Sequence, residues 1–144
     1  MFQLQYFKVP KILSHDYCEQ VLESLEKVVK KPQKGIINLI VIDADEMARM
    51  NKQFRGKEGP TDILTFSYYS PELTSWDIAG EIYLCLEKIK FYAEEAGKTY
   101  KEQLEYIVIH GLAHLMGYDH ESEQDAAEME KMENELQSEI SNVL

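Results

Sequence analysis

The chain has 144 residues, of which 44% are hydrophobic and 28% charged, with a net charge of −11. That length and make-up describe one globular domain with a real core, and no apolar run approaches a membrane span. The acidity argues against non-specific nucleic-acid binding by the whole surface, but it is unevenly spread: residues 101–144 hold 2 Lys or Arg against 11 Asp or Glu. Basic clusters in the first hundred residues therefore remain able to meet phosphates. The N-terminal MFQLQYFKVP lacks the basic and apolar regions of a signal peptide. Cys18 and Cys85 form no CxxC pattern and read as reduced, packed thiols. A cytoplasmic protein with no membrane partner is expected.

In chain order, Phe2 to Phe7 alternates and reads as a strand. Ser14 caps a helix whose inner face carries Tyr17, Val21, Leu25 and Val28, supported by Cys18, Leu22 and Val29. Lys30, Lys31 and Lys34 follow, where lysines either complement the helix dipole or face RNA. The run IINLIVID after Gly35 suits a buried central strand. Asp43 or Asp45 caps a short helix with Met47, Met50 and Phe54 on its inner face. The polar connection RGKEGPTD leads to a strand over 62–69, the loop SPELTSWD, and a strand from Ile78 to Leu84.

A helix from Leu86 to Ala96 ends at Gly97, and Thr99 with Glu102 forms a capping box for the next. Leu104, Ile107, Val108, Leu112 and Leu115 stripe that helix, with Tyr106, Ile109 and Ala113 on another side, so it belongs in the centre of the domain. Ser122 and Asp125 cap a last helix with Ala126, Met129, Met132 and Leu136 inside and a solvated acidic face outside. The order βαβαββααα predicts a single α+β domain over 1–144, with a mixed or antiparallel sheet of about four strands and about five helices.

The stretch HGLAHLMGYDH, residues 110–120, holds three of the chain's four histidines. His110 and His114 are one helical turn apart and project from one face. Gly117 can end the helix and bring His120 back towards them. Three converging imidazoles are the ligand set of a catalytic zinc with an open position, the alternative being three histidines satisfied separately by hydrogen bonds. The spacing matches that of metzincin peptidases, which need a glutamate directly after the first histidine as general base; here that residue is Gly111. A three-histidine site still lowers the pKa of bound water to about 7 and polarises a phosphoryl or carbonyl oxygen. Arg55, in its Gly-bracketed loop, is either a phosphate clamp or a surface salt-bridge residue.

HGLAHLMGYDH resembles the signature of the YbeY family of bacterial endoribonucleases of rRNA maturation. The segment MNKQFRGKEGPTDILTF from Met50 to Phe66 resembles the family's upstream element, Gly80-Glu81-Ile82 its Gly-Asp-Ile or Gly-Glu-Ile element, and Met129-Glu130 with Glu133 fall in place near the C-terminus. Ala113, Thr65 and Ser67 depart mildly from the family pattern, at positions of packing rather than of metal ligation. The resemblance implies a metal-dependent, single-strand-specific endoribonuclease. It would process the 3′ end of small-subunit rRNA and serve in ribosome quality control, with rRNA and the ribosome or its small subunit as partners. It makes His110, His114 and His120 the zinc ligands and gives Arg55 a part in activity. Arg55 and His114 are accordingly the residues expected to carry the reaction.

Other residues have two readings each. Thr61 and Asp62 either contact substrate or cap a loop-to-strand junction. Asp119 either orients a ligand imidazole or satisfies the turn at Gly117. Glu81 faces the cleft or solvent; Lys52 and Lys57 hold phosphate or only solvate; Tyr68, Tyr69 and Trp76 are exposed rings or stacking surfaces for unpaired bases. Two rival functions follow from the same residues, a zinc peptidase and a non-catalytic ribosome-associated factor in which the metal only pins the C-terminal helices.

Overall fold

The computed structural model describes residues 2–28, 34–117 and 123–143. Four strands, β1 (Phe2–Phe7), β2 (Gly35–Val41), β3 (Ile63–Ser67) and β4 (Ile78–Leu84), form one sheet in the order β1-β2-β4-β3. β2 pairs parallel with both β1 and β4, while β3 runs antiparallel along β4 as an edge strand. The sheet is therefore mixed. Five helices complete the domain: α1 (His15–Val28), α2 (Ala44–Arg55), α3 (Leu86–Ala96), α4 (Tyr100–Leu115) and α5 (Glu123–Val143). The element order expected from hydrophobic periodicity is the observed one.

Local chemistry sets the helix ends. The Ser14 hydroxyl accepts from the Tyr17 amide at 3.0 Å, and the Asp43 carboxylate accepts from the Glu46 amide at 2.8 Å. Thr99 and Glu102 make the reciprocal capping box at the start of α4. Gly56 takes the left-handed conformation that closes α2, where a residue with a side chain would be strained.

The two faces of the sheet are covered unequally. On the inner face, Ile37, Leu39, Ile82 and Leu84 pack with Tyr17, Val21 and Leu25 of α1, Leu104, Val108 and Leu112 of α4, and Met129, Leu136 and Ile140 of α5. On the outer face α2 alone is seated among the described residues, through Met47 and Met50 against Leu64 and Cys85. Phe54 does not join them as expected. It is 49% exposed and meets Phe66 edge-on at 5.2 Å, because it lies in the last turn of α2, over the edge strand β3.

α4 lies at the centre, with Leu104, Val108, Ile109, Leu112 and Ala113 fully buried. It approaches the sheet through Gly111, where a Cβ would stand 2.8 Å from the Ile63 δ-methyl and 3.3 Å from that of Ile82. Gly80 on β4 does the same for Leu115, whose δ-methyl lies 2.8 Å from where its Cβ would be. These two glycines let the C-terminal half of α4 lie close on β3 and β4. Cys18 and Cys85 are buried free thiols, and burial pushes Cys18 up to about 12. No helix among the described residues is long and apolar enough to cross a membrane.

Candidate active site

Between the C-terminal half of α4 and the end of α2 lies a cleft of about 460 Å³. One wall is His110 and His114; the other is Asn51, Arg55, Lys57 and Thr61, with Ile63, Leu64 and Thr65 of β3 beneath. The two imidazoles sit 4.9 Å apart between ring centroids, at 74° to each other. Helical spacing puts them on one face, and the buried remainder of α4 holds that face still.

His110 Nδ1 lies 3.0 Å from Glu133 Oε2 on α5, and the Glu133 side chain is 2% exposed. A buried carboxylate at Nδ1 favours the tautomer with the proton there, which makes Nε2 the basic nitrogen. Tyr106, one turn before His110, stands with its ring 6.4 Å away at 25°. Burial, with Glu133 and Glu130 adding to it, pushes its phenol up to about 12, so it stays protonated near neutrality.

Asn51 holds the opposite wall together. It is 5% exposed, its amide donates to the Gly59 carbonyl at 2.9 Å, and its own carbonyl accepts from the amides of Gly56 and Lys57. The loop that presents Lys57 and Thr61 is thereby tied to α2. Arg55 donates through Nη2 to the Thr65 carbonyl at 3.0 Å, with its guanidinium 5.5 Å over the Phe66 ring. It makes no ion pair among the described residues, so the salt-bridge alternative for Arg55 is not what the structure shows.

The remaining sequence candidates divide. Thr61 lines the cleft and donates to Asp62 Oδ1 at 3.2 Å. The Asp62 carbonyl accepts from the Cys85 amide at 2.9 Å, which gives Asp62 a part in the loop-to-strand junction. Lys57 is in the cleft, whereas Lys52 pairs with Glu58 at 3.5 Å, both well exposed. Glu81 neither enters the cleft nor simply faces solvent: it accepts from the phenols of Tyr68 at 2.8 Å and Tyr83 at 3.1 Å. Trp76 is 82% exposed and has no ring partner among the described residues. Asp119, His120, Lys30, Lys31 and Ser122 lie outside the described residues.

Among the described residues no three His, Cys, Asp or Glu side chains converge as a metal cluster. The two histidines present nevertheless have the donor chemistry of metal ligands, His110 with carboxylate support as well, and Gly117, at φ +96°, turns the chain just after α4. No carboxylate lines the cleft among the described residues, and the Gly111 position, buried against Ile63 and Ile82, offers no room for one to reach it.

Residues 2–141 match the family model described as Endoribonuclease YbeY. The chain belongs to the endoribonuclease YbeY family. It is similar to proteins named Endoribonuclease YbeY from Malacoplasma penetrans, at 38% identity over 88% of this chain and 86% of that one, and from Thermotoga maritima, at 42% over 73% and 67%. A solution structure of a Thermotoga maritima protein superposes with a TM-score of 0.61 at 33% identity, covering 96% of this chain and 89% of that one. Within the YbeY frame, Glu133 and Asn51 are the site residues that residue chemistry alone passed over, although both stand in segments that carry the family likeness. A signal for Glu133 was present: it falls on the buried stripe of Met129, Leu136 and Ile140, an odd place for an acid without a partner.

Proposed function

We propose that this chain is a zinc-dependent, single-strand-specific endoribonuclease that matures the 3′ end of small-subunit rRNA in the cytoplasm and serves in ribosome quality control, with the ribosome or its small subunit as partner. The observation that supports it best is one cleft in which two imidazoles, one backed by a buried carboxylate, face an arginine and a lysine, in a chain of the YbeY family. The relatives' name supplies the RNA; the cleft supplies chemistry suited to a phosphodiester.

His110 and His114, with His120 from the sequence, would hold the ion. A zinc ion so held supplies Lewis acidity toward a phosphate oxygen and lowers the pKa of bound water to about 7. Glu133 holds the His110 ring through Nδ1, which would leave Nε2 as the donor to such an ion. Arg55 and Lys57, on the facing wall, hold the phosphate and offset the negative charge that grows on its non-bridging oxygens. Asn51 keeps the loop bearing Lys57 and Thr61 in register with Arg55. A peptidase mechanism of the glutamate-base type lacks its glutamate among the described lining residues, whereas RNA offers the cleft a phosphate that Arg55 and Lys57 can hold. A cleft of about 460 Å³ floored by β3 has room for a phosphate and one nucleotide of an unpaired strand rather than for a duplex.

A second reading is favoured by the link from His110 to Glu133, which ties α4 to α5: the ion would then only pin those helices. The test is cleavage of a single-stranded RNA carrying an rRNA 3′ end by wild type and His114→Ala, each with its metal content measured. Cleavage by wild type alone, stopped by chelator and restored by zinc, is the expected result. A fully metallated wild type that cuts nothing, and whose fold collapses when the metal is removed, would replace the nuclease with the pinning role.

A further inference from the structure

The cleft does not end at Arg55. β3 is the edge of the sheet, and an edge strand leaves a row of backbone groups without strand partners. Arg55 closes one of them, the Thr65 carbonyl, and lays its guanidinium over Phe66, whose side chain alternates to the outer face of the sheet. The same arginine thus borders the cleft on the inner side and an aromatic surface on the outer side.

That outer surface is continuous. Phe54 meets Phe66 edge-on at 5.2 Å, and Phe66 meets Tyr83 edge-on at 5.8 Å. Tyr68, two residues beyond Phe66, shares its face and is joined to Tyr83 through Glu81, which accepts from both phenols. Those two hydrogen bonds occupy one carboxylate oxygen each, so the carboxylate organises the rings. Phe54 is 49% exposed and Tyr68 48%, and among the described residues α2 alone covers this side of the sheet. Exposed rings beside a cation, at the mouth of a cleft suited to a phosphate, match how proteins hold unpaired nucleotides, by stacking on the bases and attraction to the backbone.

We propose that this outer face of β3 is a stacking subsite for the unpaired RNA nucleotides that flank the one held in the cleft. The strand turns over the sheet edge at Arg55, and its bases rest on Phe54 and Tyr68. The subsite rests on the endoribonuclease reading above, and it gives affinity for longer RNA without touching the phosphate in the cleft.

The experiment measures binding of fluorescein-labelled, cleavage-resistant 2′-O-methyl oligoadenylates, a trinucleotide and a dodecanucleotide, to wild type, Phe54→Ala, Tyr68→Ala and Tyr68→Phe. RNA cleavage by the same proteins is followed in parallel, and circular dichroism confirms their folds. Each alanine variant is expected to weaken dodecanucleotide binding at least about fivefold, the low end of what loss of a base–aromatic stack costs. Trinucleotide binding and the salt dependence stay unchanged, because a ring carries no charge. Tyr68→Phe keeps the ring and is expected to bind as wild type does. Equal affinity of wild type and both alanine variants for the dodecanucleotide overturns the subsite while leaving the nuclease intact. Equal losses at both lengths overturn it too, since the variants would then have disturbed the cleft. A wild type that neither binds nor cuts RNA removes the subsite together with the reading beneath it.

Discussion

The His110–Glu133 contact makes a prediction that separates metal binding from folding. Glu133 is 2% exposed and its Oε2 lies 3.0 Å from His110 Nδ1, so the carboxylate is withdrawn from water and depends on that imidazole. Replacing His110 with alanine in metal-free protein leaves the buried carboxylate without this hydrogen bond, which costs about 3–5 kcal/mol by analogy with broken buried pairs. Glu133→Gln keeps the volume and removes the charge, so it should cost the metal-free fold far less, about 1 kcal/mol for one weakened hydrogen bond. Its larger effect should fall on binding of the proposed zinc ion. A neutral amide no longer fixes the Nδ1 proton or raises the basicity of Nε2, and loss of such a partner typically lowers metal affinity or activity about 10–100-fold. The assays are urea unfolding of the metal-free proteins and competition with a zinc chelator. A Glu133→Gln protein with wild-type zinc affinity, or a metal-free His110→Ala protein as stable as wild type, would refute the reasoning. Adding Glu133→Gln to His110→Ala should recover most of the folding loss of the single His110→Ala variant, since no buried charge is then left behind.

Three further outcomes are expected. Arg55→Ala should lower RNA cleavage about 10²–10³-fold, as loss of a transition-state donor does, while zinc content measured by elemental analysis stays at the wild-type level; metal lost together with activity would make Arg55 a structural cap of β3 alone. Tyr17→Phe should leave thermal stability unchanged or raise it by about 1 kcal/mol, because the Tyr17 hydroxyl is buried with no hydrogen-bond partner among the described residues. Burial raises the Glu105 carboxyl above its ordinary value, with Glu102 adding to that and Lys101 opposing it. The native state therefore binds this proton more tightly than the unfolded chain, and wild type loses stability as pH rises from the ordinary carboxylate value through the raised one. Glu105→Gln should melt higher than wild type at neutral pH, and the gain should vanish at pH values low enough to protonate the unfolded chain; a constant gain at all pH values would assign it to something other than this proton.

What the sequence made legible follows from how local each signal is. Caps and periodicity act within a few residues, so the Thr99–Glu102 box and the stripe of Leu104, Val108 and Leu112 could be read directly. The pairing of His110 with His114 needed only the helical repeat. Phe54 was misplaced because periodicity tells which face of α2 a residue is on but not where the sheet beneath that face stops. Glu81 escaped for a related reason. Its fate depends on Tyr68 across the strand pair and Tyr83 two residues on, and antiparallel register is not written in either strand alone.

Glu133 shows the same limit most sharply. Composition counts it among the acids of a solvated helix, yet it sits on the apolar stripe of α5 and reaches across to α4. An acid in such a position is tolerated only if its partner is already in place, and that partner is a histidine bordering the cleft. The glycines complete the argument from the other side. Gly80 and Gly111 carry no chemistry, but without them α4 would stand farther from β3 and β4, and the imidazoles farther from Arg55 and Lys57. The position where a glutamate-based peptidase carries its general base is thus held here by the residue that lets the helix approach the sheet. Close packing at Gly111 and the lack of a carboxylate at that position are a single feature, since any side chain there would press on Ile63 and Ile82.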